Sequence, residues 1–444
     1  MFFDVPLCYH TPSTSNRSIR VFARGVAKNE TPIVPLSHEE AEAKAKKPWF
    51  VYLQGGPGFG CSMPQNNGLT KLVLNEGYQM LYLDQRGTGL STTITADHLA
   101  KQGDDAAQAE YLKKFRADSI VEDCEAIRKC LTSSYPDDLK KWSILGQSFG
   151  GFCAVTYLSK HPAGLREVFT SGGIPPIGKT AQEVYEATFK QVEKRNRHYY
   201  EKFPEDEAVV HDLALHIAGR NGVHLPGGGT LTVRRFLMLG LLFGGVGGLD
   251  AVHAIVVRMR SDLSQFSTFS RPTLSIIEKA VGLDDNIIYA ILHESIYCEG
   301  TASNWAADKV GRGLEHWHWI TGAPRTPKSV REHPLYFSGE MIYPWCFELY
   351  PELKKVKGAA DILAKTSDWP SLYDEYQLER NEVPVYAASF VDDMYVDFGL
   401  VQESVEKIKG VKQYITNTMF HDAIRSNTED VMKQLFKLRN DTIN

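Results

Sequence analysis

The sequence predicts an α/β fold: a mostly parallel, doubly wound sheet split by a long helical insertion. Three observations lead there. Short, continuously apolar runs recur in the first part of the chain, at Trp49–Leu53 (WFVYL), Met80–Asp84 (MLYLD), Trp142–Gly146 (WSILG) and Glu167–Gly172 (EVFTSG). Runs without alternation suit strands buried on both faces, as parallel strands are. Helical periodicity separates the second run from the third, and strand pattern returns near the end of the chain after a long helical stretch.

The elements follow in order. The first thirty residues read as strands, and Arg17–Ala27 alternates imperfectly, like one arm of an antiparallel edge hairpin. The charged stretch Ser37–Lys47 reads as an exposed helical excursion or a mobile loop without assigned function. In Asp118–Leu131, residues Ile120, Val121, Cys124, Ile127 and Leu131 recur at helical spacing, with Asp118 placed to cap the N-terminus. From Thr180 to Asp374 the chain is rich in His, Arg and aromatic residues, mostly helical in period, and broken at Pro226–Gly229. Strand Val383–Phe390, a helix around Gln402–Lys409, strand Lys412–Thr416 and an amphipathic helix Glu429–Leu438 complete it. The implied division is a core in two pieces, 1–179 and 376–444, around a helical cap at 180–375.

Composition narrows the function classes. At 444 residues the chain exceeds one ordinary core, which calls for two domains or one with a large insertion. A net charge of −5 lacks the basic footprint of a nucleic-acid binder. The seven cysteines are odd in number and form no CxxC pair, which argues against a disulfide framework or a zinc site and for a reducing compartment. The first residues carry an acid, Asp4, and no long apolar run, unlike a secretory signal. The longest apolar stretch, Phe236–Leu249, is too short to span a bilayer and holds five glycines, so it reads as a buried helix running into a flexible turn. The expectation is a cytoplasmic chain with no membrane or nucleic-acid partner; its oligomeric state is not legible.

GQSFGG at Gly146–Gly151 has the form G-x-S-x-G between a strand and an apolar helix, the context of a nucleophile elbow in an α/β-hydrolase fold. The turn strains the serine and needs very small neighbours, hence Gly146, Gly150 and Gly151. It exposes the Ser148 hydroxyl and aims the Phe149 amide at a developing oxyanion. QGGPG (Gln54–Gly58), directly after a strand, supplies the second N–H, from Gly56 or alternatively Gly55. In this fold the order is Ser, then acid, then His. After the insertion only His421 remains of fourteen histidines, so it is the base. The orienting acid is sought in VDDMYVD, where Asp393 is favoured, Asp392 is a close rival and Asp397 suits a helix cap or the surface.

These residues carry a family resemblance. QGGPG is similar to the HGGPG of prolyl aminopeptidases (proline iminopeptidases), with Gln54 in place of histidine. LDQRGTGLS (Leu83–Ser91) resembles their DQRGxGxS, and GQSFGG their GxSWGG-type elbow with Phe149 for tryptophan. Asp393-Met394 resembles their acid, which selects Asp393 over Asp392. The sequence most resembles the larger, fungal-type members; the similarity is firm over 48–175 and 383–425 and weak in the insertion. Within DQRG, Asp84 and Arg86 suit a structural ion pair bracing the loop beside the oxyanion hole.

The resemblance implies a serine aminopeptidase that releases proline from peptides with a free N-terminal proline, without metal or organic cofactor. Cap glutamates would read the cationic amine by charge-assisted hydrogen bonds. Glu340 in GEMIYPW is the best match and Glu294 the second, among Glu299 and Glu348. Tyr297, Tyr343, Trp345 and Phe347 are candidates to wall a pyrrolidine pocket. Two other readings stand beside this one: an esterase or amidase acting on a small metabolite, and an inactive binding protein on a hydrolase scaffold. An epoxide hydrolase of this fold would carry an aspartate at the elbow.

Overall fold

The computed structural model describes residues 1–9, 17–29, 33–64, 68–322 and 334–441. Eight strands form one sheet: β1 (Phe2–Pro6), β2 (Ser18–Val26), β3 (Trp49–Leu53), β4 (Gln79–Asp84), β5 (Trp142–Gln147), β6 (Leu165–Ser171), β7 (Val385–Phe390) and β8 (Val411–Thr416). Their spatial order is β1-β2-β4-β3-β5-β6-β7-β8. β1 pairs antiparallel with β2, and β2 antiparallel with β4. The remaining pairs are parallel. The four early apolar runs are β3 to β6, and the expected edge hairpin is β1–β2.

The continuous apolar character of β3 has a direct cause. Phe50 and Tyr52 point into one core with Leu69, Val73, Val431, Met432, Leu435 and Phe436, from the helices Gly68–Asn75 and Thr428–Asn440. Val51 and Leu53 point into the other with Val121, Cys124, Ile127, Val155 and Leu158, from the helices Ala117–Leu131 and Phe149–Lys160. Both faces are covered, so neither set of alternate positions is polar. The early helix does not start as expected. Its N-cap position is Arg116, and Asp118 lies inside the first turn, buried. Arg116 instead reaches across to the inserted segment, donating to Cys298 O at 3.0 Å and Pro370 O at 3.2 Å.

Between β6 and β7 the chain leaves the sheet. It opens with the helix Ala181–Lys202, held by a reciprocal cap between Thr180 and Glu183. The helices Asp206–Ala218, Gly248–Phe266, Arg271–Ala280 and Lys357–Lys365 follow, with a small hairpin, Val223–His224 with Thr230–Leu231, around the Pro-Gly punctuation. The glycine-rich stretch after Phe236 is not a buried helix running into a flexible turn. A short helix, Val233–Leu237, passes into a 3-10 turn, Met238–Gly244, and a packed reversal. A Cβ on Gly248 would lie 1.8 Å from Leu242 O, and one on Gly244 would lie 2.2 Å from the Tyr395 ring. These glycines permit close approach. After β7 the helix is Phe398–Val405, four residues earlier than expected, because Asp397 caps it by accepting from Leu400 N at 3.0 Å. The charged stretch near the N-terminus contains the helix His38–Ala45, exposed over residues 38–41.

Candidate active site

The site stands where β5 meets the helix Phe149–Lys160. Ser148, between them, has φ 54° and ψ −127°, a conformation a β-unbranched L-residue adopts only under constraint. Three contacts impose it. A Cβ on Gly146 would lie 2.3 Å from Gly150 O, one on Gly150 2.0 Å from Leu53 O, and one on Gly151 2.3 Å from Gly173 O. Strand, helix and neighbouring loops touch backbone to backbone, and only glycine fits. The serine hydroxyl makes no hydrogen bond among the described residues and faces a cavity.

Asp393 follows β7 and is buried. One carboxylate oxygen accepts from Tyr395 N at 2.8 Å and Val396 N at 3.0 Å; the other meets His421 Nδ1 at 2.7 Å. The pair fits because Gly172, at φ +53°, has no side chain: its Cβ would lie 3.1 Å from His421 Nδ1. A carboxylate on Nδ1 keeps the proton there and leaves Nε2 as the basic nitrogen. Burial works against the imidazolium, but Asp393 and then Glu340 outweigh it, and the His421 pKa lies above its ordinary value. The two rival acids are otherwise engaged: Asp392 pairs with Lys194 of the insertion, and Asp397 is the helix cap.

The N–H groups of Gly55, Gly56 and Phe149 donate to no acceptor among the described residues. Gly55 lies against the serine: its Cβ would be 2.8 Å from Ser148 Cβ. Gly55, Gly56, Ser148, His421 and Glu340 border one cavity of about 320 Å³. Its apolar wall includes Phe59, Leu241, Val281, Leu283, Tyr289 and Tyr395. Glu340 accepts from Tyr289 Oη at 2.9 Å. Burial pushes its carboxyl up to about 7, against the opposing influence of His421 and the Tyr289 hydrogen bond. The Tyr395 ring stands edge-on to His421, with centroids 4.7 Å apart.

Comparison with known proteins places this arrangement. The family model described as the alpha/beta hydrolase fold matches residues 48–215. A protein of Aspergillus aculeatus, "Proline iminopeptidase aneH", is 42% identical over 441 residues, covering 99% of this chain and 93% of its own. A proline iminopeptidase of Aeromonas sobria is 40% identical, covering 99% of this chain and 96% of its own. The chain belongs to the proline iminopeptidase family. A further relative, the proline iminopeptidase of Thermoplasma volcanium, is 29% identical over 34% of this chain and 42% of its own.

Two other expectations from the sequence need correction. Arg86 does not pair with Asp84. It forms a two-pronged buried pair with Asp123, at 2.5 and 2.7 Å, and donates to the carbonyls of Pro6, Leu7 and Lys114. Asp84 accepts from Cys61 N at 2.7 Å and Leu90 N at 2.8 Å, which braces the loop after Gly55–Gly58 by itself. Of the four aromatics expected around the substrate, three pack elsewhere. Tyr343 stacks on Trp345 at 4.9 Å and its hydroxyl meets Ser338, while Phe347 packs on Trp305. Tyr297 is nearer, beside Phe152 and Tyr185, but it too is absent from the cavity wall.

Glu340 is brought to the site and the other glutamates are not. Glu294 is buried outside the cavity wall, with one oxygen accepting from Ala307 N at 2.9 Å, the other unpartnered among the described residues, and a carboxyl pushed up to about 7 by burial. Glu299 accepts from Leu372 N and Tyr373 N. Sequence reasoning missed Phe59, Tyr289 and Tyr395. Two of these adjoin motifs that were recognised: Phe59 follows GGPG directly, and Tyr395 is two residues after the acid.

Proposed function

We propose that the chain is a serine aminopeptidase that releases proline from the N-terminus of peptides through an acyl-enzyme at Ser148. The observation that carries this reading is the placement of Glu340. It is the sole carboxylate on the described wall of the cavity that holds Ser148 and His421; Asp393 lies behind the imidazole, bonded to it. A carboxylate drawn out of water beside the rings of Tyr289 and Tyr395 is costly unless a cation meets it. The ammonium of an N-terminal proline is that cation, and the flanking rings suit its pyrrolidine.

With the amine on Glu340, His421 Nε2 takes the hydroxyl proton as Ser148 Oγ attacks the prolyl carbonyl carbon. The C–O bond forms and the carbonyl oxygen becomes an oxyanion, received by the N–H of Phe149 and that of Gly56 or Gly55. His421 then gives its proton to the departing peptide nitrogen as the C–N bond breaks. Water, deprotonated by the same imidazole, cleaves the prolyl ester and restores Ser148. Asp393 holds the tautomer throughout. The Ser–His hydrogen bond, open in the free enzyme, tightens when substrate is bound. The reading requires the amine end of the cavity to exclude a residue upstream of proline.

The test compares the arylamides of proline, alanine and N-acetyl-proline with a simple aryl ester. Proline arylamide should be turned over best and N-acetyl-proline arylamide hardly at all. Faster cleavage of the acetylated compound, or of the ester alone, would replace the aminopeptidase by an esterase or amidase.

A further inference from the structure

The cavity carries opposite charges on its wall. Glu340 is negative; the other charged side chains on the described lining, His421 aside, are Lys279 and Arg425. Lys279 lies in the last turn of the helix Arg271–Ala280, is exposed, and forms no ion pair among the described residues. The carboxylate of its neighbour Glu278 is turned to Gly227 N, at 3.0 Å, and makes no ion pair with it. Arg425 is exposed, four residues after His421, and its guanidinium makes one hydrogen bond among the described residues, to Gln147 Oε1 at 3.1 Å. Gln147 directly precedes Ser148, and its Oε1 lies 2.6 Å from where a Gly55 Cβ would stand. Arg425 is thus held beside the oxyanion loop with donors to spare. Asp422, the nearest acid in sequence, accepts from Val246 N at 3.1 Å.

We propose that Lys279 and Arg425 bind the free C-terminal carboxylate of the substrate and so select di- and tripeptides. This rests on the aminopeptidase reading above and deepens it. A short peptide is a zwitterion. With its ammonium on Glu340 and its first carbonyl at Ser148, its carboxylate lies one or two residues further on, about 3.3–3.6 Å per residue when extended. A cavity of about 320 Å³ is near the small end of ligand sites, roughly 300–1,000 Å³, and suits that size. Two exposed cations on long stems follow the carboxylate through both lengths, whereas in longer peptides it lies outside their reach.

The experiment measures kcat/KM for Pro-Gly, Pro-Gly-Gly and a proline-led pentapeptide, each as free acid and as C-terminal amide. The enzymes are wild type, Lys279→Met, Arg425→Met and the double variant. The readout is the acid-to-amide ratio. In wild type it should be at least about fivefold for the two short peptides, the upper range for one exposed charge pair. It should approach one for the pentapeptide, fall with added salt, and fall toward one in the double variant. A wild-type ratio near one for the short peptides would overturn the proposal. So would variants that slow acid and amide equally, since that is the mark of a structural role. If proline arylamide is cleaved while the ratio is one, only this proposal fails; if proline substrates of every kind are inert, the aminopeptidase reading fails with it.

Discussion

Replacing Glu340 by glutamine removes one negative charge from the cavity and little else. The volume is nearly kept, and the amide oxygen can still accept from Tyr289 Oη, 2.9 Å from Oε1 in the native chain. A hydrogen bond to a charged group contributes about 1.5–3 kcal/mol, so kcat/KM on proline arylamide should fall by about 10- to 150-fold. The ester needs no such contact and should lose far less. The pH profile carries a second signature. The Glu340 carboxylate helps to raise His421, and His421 must be neutral to accept the serine proton. Activity on the ester is therefore lost as pH falls through the His421 pKa. Removing the Glu340 charge lowers that pKa, so the acid limb on the ester should move to lower pH. In wild type, proline arylamide needs both His421 neutral and Glu340, raised to about 7, ionised. Its acid limb should be steeper than that of the ester, reporting the coupled pair. Steady-state rates on both substrates across pH measure all of this. Equal losses on the two substrates, with an unmoved ester limb, would refute the amine-binding role.

Three further outcomes are expected. Asp393→Asn should lower kcat by about 10⁴-fold, as loss of the tautomer-fixing acid does, while Asp392→Asn, which cuts only the pairing with Lys194, should stay within a few-fold; rates of both folded variants decide it. Gly150→Ala should destabilise the chain by about 1–3 kcal/mol or more, because the new Cβ would lie 2.0 Å from Leu53 O; a denaturant midpoint matching wild type would contradict the close-packing account of the elbow. Arg86→Leu should cost about 3–5 kcal/mol by stranding the buried Asp123, whereas Asp84→Asn should leave the Arg86 pair intact; equal losses in urea unfolding would restore the Asp84–Arg86 pairing.

The core strands and the glycine-lined turn at Ser148 were legible for related reasons. A strand covered on both faces cannot hide its apolar run, and an elbow that brings Gly146, Gly150 and Gly151 into backbone contact leaves glycines at fixed spacing. Chain order pointed to His421 and a motif to Asp393, and the two side chains meet at 2.7 Å. The Arg86 partner was not legible, because Asp123 is 37 residues away on a helix whose facing was unknown. Asp118 had the right residue type for a cap, but the helix begins earlier and buries it. The aromatics of the insertion failed for a general reason. Tyr343, Trp345 and Phe347 are apolar enough for a pocket or a core, and only long-range packing decides between them. Phe59, Tyr289 and Tyr395 line the cavity because the loop after β3, the insertion and the segment after β7 converge there.

The most direct measurement is the identity of the acylated residue. Wild-type protein is mixed with an activated proline ester, quenched in acid within the pre-steady state, digested, and mapped by mass spectrometry. We expect a prolyl group on the peptide containing Ser148, located on that serine, and absent when Ser148→Ala protein is treated alike. Undiminished turnover by folded Ser148→Ala protein, or a prolyl group found on another side chain, would contradict the serine mechanism.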